Sequence, residues 1–369
     1  MSKQIKNQSK NRIILKNNSQ RKNKLTIAHI HVWDKKNKGD YAIVLAVQEL
    51  LKNKFSGVKI LDFPVEVLKS ENETSLKKIN SADLVFIGGG GIFYSYFLPF
   101  NERMIKAIKK PIYLFGLGYI KEVDAPLWPK KNITSVLTLA RQAALVGVRD
   151  LNTRRFLIKN GLAANKIKVI GDPAALLKEQ KLSEVKIKKL KLNSKKIKIG
   201  LNLNYSGWLG FGCWREDILN AYKEVIRHFL IQGAEIYYLK HHPGEESIYR
   251  ELGVKNIIKI DLSPAEQKYV YSQMDMIIGM MLHVGVMSFG ALTPEISVAY
   301  DIRNYGFAEF IRAKELVVDL EKLKEGELLK RAKKVFAQKE AYKAKFKKEK
   351  QKIKEKEERF LHLAWQKIQ

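Results

Sequence analysis

Cysteine is almost missing. Cys213 is the only one in the 369-residue sequence, which excludes an internal disulfide framework and any multi-cysteine metal site and fits a reducing, cytoplasmic compartment. Long apolar runs are missing as well. The charge-free stretch Met276 to Pro294 falls short of the roughly 20 apolar residues a spanning helix needs, and glycines and a histidine break it. The first 24 residues hold eight Lys or Arg, no acid and only the short apolar cluster Ile13, Ile14, Leu15. They read as a disordered basic tail, with no secretory signal expected. The four-glycine run Gly88 to Gly91 lacks the Lys-Ser or Lys-Thr of a Walker loop and the spacing of a dinucleotide fingerprint, which disfavours ATP and NAD.

Acids are scarce relative to bases, 38 against 68, leaving a net charge of +30. The tail to Lys24 contributes +8, and Arg331 to Arg359, with 13 bases and 5 acids, another +8. Such clusters suit an anionic partner: the face of a membrane, a phosphorylated substrate or nucleic acid. The basic runs lack the interleaved aromatics of a stacking platform, so no specific nucleic-acid function is expected. Contact with the inner face of an anionic membrane through the termini is the expectation instead. With 46% hydrophobic residues, the chain is long enough for two ordinary domains.

Two series of short apolar strands alternate with helical patterns. The first comprises strands at 25–33, 58–63, 83–91, 111–119, 144–149 and 166–172, with helices at 40–55 and 150–161, the latter starting at Asp150 as N-cap and ending at Gly161. The second has strands at 197–205, 234–242, 256–261, 274–280 and 294–301 and a helix at 216–232. The predicted architecture is α/β: two Rossmann-like, doubly wound domains in tandem, at 25–178 and 197–325. The lysine-rich stretch 179–196 is the expected linker, and 326–369 a basic helical extension. Phe346, Ile353 and Phe360, seven apart, give that extension a seam for packing against the body or against a second subunit.

Ligands of open α/β sheets bind outside the carboxyl ends of the strands, so polar residues just past strands are the candidates. Gly39 and Asp40 follow the first strand, with Asp40 either capping the helix or facing the cleft. Gly89, Gly90 and Gly91 offer backbone N–H groups to an anion or sugar. Arg149 ends the fifth strand at a helix N-terminus, suited to a carboxylate or phosphate. Asn202, His242, Tyr300 and Arg303 occupy comparable positions in the second series. His241 and His242, being adjacent, point different ways and make a poor metal site. His283 lies just past the strand at 274–280; it is either a buried structural histidine or the acid or base of the site.

Six motifs, "KNKGDYA", "FIGGGGIF", "FGLGY", "VGVRDLNTRRFLIKNG", "VIGDPA" and "MDMIIGMMLHVGVMSFGALTPEISVAYD", occur in order across about 40–310. In this the chain resembles the polysaccharide pyruvyl transferase family. The resemblance implies a fold like that of GT-B glycosyltransferases and transfer of an enolpyruvyl-derived group from phosphoenolpyruvate to two hydroxyls of a sugar, giving a cyclic ketal. The expected substrates are phosphoenolpyruvate and a glycan acceptor, a cell-surface polysaccharide or its lipid-linked precursor; no metal or other cofactor is expected. Arg149 matches the family's donor-binding arginine, and His283 the histidine of its Arg-Leu-His motif, the acid or base. The sequence departs from the pattern at Met281, where the family has that arginine; Arg303 and His242 are the residues placed to compensate. Two further readings stand beside this one: a GT-B glycosyltransferase using a nucleotide sugar, suggested by the tandem domains and by "KHHPGEES" at 240–247, and a non-catalytic carbohydrate-binding relative, suggested by the loss of that arginine.

Overall fold

The computed structural model describes residues 24–122, 125–203, 212–245, 248–258 and 261–367. Residues 1–23 of the basic tail lie outside them. The first half runs through β1 (Thr26–His31), β2 (Lys59–Pro64), β3 (Leu84–Ile87), β4 (Ile112–Leu117), β5 (Leu145–Val148) and β6 (Ile167–Val169). Its helices are α1 (Lys38–Lys54), α2 (Glu73–Ser81), α3 (Glu102–Ala107), α4 (Lys130–Gln142) and α5 (Leu151–Lys159), followed by the short α6 (Glu184–Lys189). The second half contains β7 (Lys198–Leu201), β8 (Glu235–Leu239), β9 (Asn256–Ile258), β10 (Met276–Gly279), β11 (Glu295–Ala299) and β12 (Val317–Asp319). Its helices are α7 (Arg215–Ile231), α8 (Ile248–Glu251), α9 (Pro264–Ser272), α10 (Leu282–Gly290) and α11 (Ile302–Phe310), and the chain closes with α12 (Glu327–Ala337) and α13 (Lys339–Gln366).

The described strands form two six-stranded parallel sheets, ordered β2-β1-β3-β4-β5-β6 and β12-β11-β10-β7-β8-β9. Strands such as β3, β4, β5 and β10 are buried on both faces, which is why their sequences are continuous apolar runs rather than alternating ones. In each sheet the winding reverses once, between β1 and β3 in the first and between β7 and β10 in the second. Chains leaving adjacent strands there turn to opposite faces and open a crevice. Both reversals lie at candidate residues: Gly39, Asp40 and the glycine run at one, Asn202 and His283 at the other.

Helix α13 joins the halves. Its 28 residues reach about 42 Å at 1.5 Å per residue. Phe346 meets Phe289 of α10 at 5.0 Å between ring centroids, Phe360 meets Phe115 of β4 at 5.3 Å, and all three seam residues are buried. The seam is therefore spent on the body of the same chain. Strand β12 was not expected from sequence, since three residues between two 3-10 turns carry too little periodicity. The stretch 179–196 carries α6, buries Leu182 and Leu192, and is tied to the second half by Gln180 N–H donating to Ala265 O at 3.1 Å and Lys186 pairing with Glu266 at 2.9 Å.

Candidate active site

Helix α10 starts directly after β10 and has no side-chain cap of its own residue Met281. Its first turn is held from outside: the Met281 N–H donates to Asn202 Oδ1 at 3.3 Å. The Asn202 amide donates in turn to Leu239 O at 3.1 Å and Glu245 Oε2 at 3.0 Å. Asn202, read from sequence as a substrate contact, is fully buried and spends its amide on this clamp; its reach to a ligand is indirect. The Met281 side chain packs on the apolar core, where the Arg-Leu-His pattern would have an ion.

The clamp presents His283 to the first half. The ring is 7% exposed, its Nε2 lies 3.6 Å from Asp172 Oδ2, and it makes no hydrogen bond at Nε2. A β-carbon on Gly39 would sit 2.2 Å from its Nδ1, so glycine at 39 is what lets α1 and α10 approach this closely. Asp172, just past β6, accepts from Ala174 N–H at 3.0 Å and from Arg149 Nη1 at 3.3 Å. Burial works against its charge, but the neighbouring His283, Arg149 and the Ala174 N–H outweigh burial and hold the carboxyl below the usual range. Asp172 is anionic at neutral pH.

Arg149 is 3% exposed, and two of its guanidinium nitrogens, Nε and Nη2, have no hydrogen-bond partner. Asp150 Oδ2 stands 3.6 Å from Nε as an ion pair, while Asp150 Oδ1 caps α5 through Thr153 N–H at 2.7 Å. Burial raises the Asp150 carboxyl despite Arg149 and Thr153, so the two acids beside the guanidinium differ in character. Buried donors without acceptors are rare and costly. Two such donors on one guanidinium have the geometry to take a carboxylate or phosphate.

Around this core, Asp40 proves to face the cleft. Asn37 caps α1 by accepting from Gly39 and Asp40 N–H groups, and Asp40 Oδ1 accepts from Gly91 N–H at 2.9 Å. Gly89 and Gly90, with φ of 112° and 88°, give the loop a path that side-chain-bearing residues avoid. Burial raises the Asp40 carboxyl against the pull of His283, Arg303, the Gly91 N–H and Arg149. Arg303, in the first turn of α11, pairs with Asp301 at 2.8 Å; burial opposes its charge, and Asp301, Tyr300 and Asp40 restore it. Tyr300 is buried beside it, and a bridge between Asp301 and Glu122 joins the halves, with Tyr94 donating to Glu122 at 3.0 Å.

His241 and His242 separate in role. His241 is fully buried, hydrogen-bonded to Tyr271 at 3.1 Å, and kept neutral by burial with help from His283, His242 and Lys38. His242 is half-buried on the turn after β8, its N–H donating to Glu245 at 2.7 Å. Glu245 itself is buried and pushed up to about 8 by burial, in spite of donors from Tyr238, His242 and His241 and the charge of Lys240. Asp172 and Glu245 were missed in the sequence. Both follow strands, so the strand-end criterion that found Arg149 applies to them equally.

Beside Asp40 lies an open cavity of about 760 Å³, lined by Trp33, Asp34, Glu66, Tyr94 and Tyr96 among others. Trp33 is 52% and Tyr96 72% exposed. Aromatic faces flanked by carboxylates suit the CH faces and hydroxyls of a sugar. No described helix is long and apolar enough to cross a membrane.

The fold recurs among solved structures. A Listeria monocytogenes protein provisionally assigned as a UDP-N-acetylglucosamine 2-epimerase superposes with a TM-score of 0.59 at 14% identity, covering 88% of this chain and 91% of that one. HepE of Anabaena, in complex with UDP and glucose, gives 0.56 at 13% identity, covering 93% and 100%. A Neisseria meningitidis UDP-GlcNAc 2-epimerase bound to UDP-GlcNAc gives 0.51 at 11%, covering 87% and 93%. At these identities the likeness establishes the fold, two Rossmann-like domains in a GT-B-like arrangement. No curated protein matches the sequence. The family model described as polysaccharide pyruvyl transferase matches residues 37–302.

Proposed function

The chain belongs to the polysaccharide pyruvyl transferase family, and from that premise we propose that it transfers a pyruvate ketal from phosphoenolpyruvate to a glycan acceptor. The observation that carries the proposal is Arg149, whose Nε and Nη2 make no hydrogen bond and which stands in the same ionic cluster as His283 and Asp172. In this reading the donor's carboxylate or phosphate docks on Arg149, with Arg303 supplying the second cation in place of the arginine replaced by Met281. His283, oriented by anionic Asp172, protonates the methylene carbon of the donor. The first acceptor hydroxyl adds to the carbon that becomes electrophilic and gives its proton to Asp40; phosphate departs with that proton, and the second hydroxyl adds in its place, its proton restoring His283. The acceptor lies on the Trp33 and Tyr96 wall. The basic α13 and tail hold the protein at an anionic membrane surface, where lipid-linked acceptors are found.

The test is turnover: purified protein, phosphoenolpyruvate and a panel of soluble and lipid-linked saccharides, followed by release of inorganic phosphate together with an acid-labile ketal. Phosphate release that requires acceptor and is lost in His283→Ala supports the reading. A second reading, a nucleotide-sugar donor, is favoured by the apolar packing of Met281 and by the Asn202, His242 and Glu245 cluster beside it. Release of UDP from a UDP-sugar, with no response to phosphoenolpyruvate, would replace the first reading with the second.

A further inference from the structure

A second cluster lies apart from the ionic centre, at the outer edge of the first sheet. His29 and His31, two residues apart on β1, project to the same face, and Asp62 on β2 stands in register opposite His29. Among the described residues, ligand atoms, one each from His29, His31 and Asp62, lie within 4.8 Å of one another. His31 Nε2 is 3.1 Å, and His29 Nδ1 3.9 Å, from Asp62 Oδ1.

The other ring nitrogens are already committed. His29 Nε2 lies 2.6 Å from Gly88 O, and His31 Nδ1 lies 3.0 Å from Val32 O. A carbonyl only accepts, so each of these nitrogens carries the proton. The lone pairs of His29 Nδ1 and His31 Nε2 then face Asp62 Oδ1, and the Gln48 amide donates to that oxygen at 2.6 Å and stands 3.5 Å from His29 Nδ1. Among the described residues, no donor but this one neutral amide stands between the two imidazole lone pairs and the carboxylate, and a cation bound there would take its place. Ligand atoms around a tetrahedral ion at bonds of about 2.0–2.2 Å lie roughly 3.3–3.6 Å apart, between the 3.1 and 3.9 Å that separate Asp62 Oδ1 from the two rings. The backbone carbonyls that fix the two rings are the usual outer partners of metal-bound imidazoles. A cavity of about 150 Å³, lined by His31, Trp33, Gln48 and Asp62 among others, opens on the cluster and leaves an approach for a further ligand.

We propose that His29, His31 and Asp62 bind a first-row divalent cation of the Zn²⁺ class, with one coordination position open to the Trp33 cavity. Two imidazoles and one carboxylate favour such an ion over Mg²⁺ or Ca²⁺, which prefer oxygen-only shells. The ion also reaches the glycine loop, because the His29 ring it orients holds Gly88 O at the start of Gly88–Gly91. Trp33 and Asp34 line both this cavity and the larger one beside Asp40. Metal loading is thereby coupled to the order of the candidate active site.

The test uses the full chain, stripped with chelator and titrated with Zn²⁺ by calorimetry, and with Co²⁺ by its visible spectrum. The expected result is one ion per chain, a Co²⁺ spectrum without thiolate charge transfer, and affinity at least about tenfold weaker in Asp62→Asn and in His31→Ala. Asp62 is partly exposed, so Asp62→Asn keeps the reading available if the histidine variant fails to fold. Amide exchange at Gly88–Gly91 should slow on Zn²⁺ addition in the wild type and not in Asp62→Asn. Failure to bind, binding unchanged by both substitutions, or binding lost in Cys213→Ser would overturn the proposal; in the first case the gap between His31 and Asp62 is filled by a proton alone.

Discussion

His283 and Gly39 meet across the two halves of the chain so closely that a β-carbon at 39 would lie 2.2 Å from His283 Nδ1. The site is assembled by that contact: α1 carries Gly39 and Asp40, α10 carries His283, and Asp172 lies within ion-pair distance of the same ring. Gly39→Ala should therefore move the ring rather than unfold the protein. Overpacking of this kind costs about 1–3 kcal/mol, and a displacement of ~1 Å at a reacting group costs roughly 100-fold in rate. Circular dichroism should show a retained fold with turnover reduced on that scale.

Asp172 links Arg149 to His283 through one carboxylate oxygen. Asp172→Asn should lower turnover by about 100-fold or more, with a smaller effect on donor affinity, because Arg149 keeps Asp150 as a neighbour. The pH dependence has a definite sign. The folded carboxyl titrates below its ordinary 3.8, so its stabilisation is present above that value and is lost as pH falls through the lower folded value. Wild type should exceed the variant in stability at pH 7, and the difference should shrink below about pH 4.

Glu245 behaves oppositely. Its folded carboxyl titrates near 8 against an ordinary 4.5, so the native state holds a proton that the unfolded chain releases, and stability falls as pH rises between those values. Glu245→Gln mimics the protonated form. Denaturant melts at several pH values should show a flatter profile for the variant between 4.5 and 8, and greater stability than wild type at pH 8.5.

Phe360 anchors α13 to β4 while Phe346 anchors it to α10. Phe360→Ala should cost about 3–5 kcal/mol and lower the melting transition of the whole chain. Retention of the wild-type melting temperature would mean that α13 is dispensable to the body.

The periodicities were legible because parallel strands buried on both faces must be apolar throughout; the first sheet came out as read, and the second gained only β12. Asp150 was recognisable as a cap, and Asp40 was narrowed to two roles that Asn37 then resolved. Arg149 and His283 were legible as strand-end residues. Their common partner Asp172 meets the same strand-end criterion, but its approach to His283 arises only once the two halves pack, and no local pattern encodes that approach. Asn202 misled for a related reason: a strand-end position alone does not say whether a side chain turns to the cleft or ties down the next helix. "HIH" within the first strand read as part of a buried strand, and only the register with β2 brings Asp62 to it.

The most direct measurement is calorimetric titration of purified protein with phosphoenolpyruvate at moderate salt, which suppresses attraction to the basic termini, comparing wild type with Arg149→Ala. The account predicts saturable binding by wild type and a loss of about 10- to 100-fold in the variant, the equivalent of one charge-assisted hydrogen bond or more. Absence of binding to wild type, or equal binding by both proteins, would contradict the assignment of Arg149 as the donor receptor.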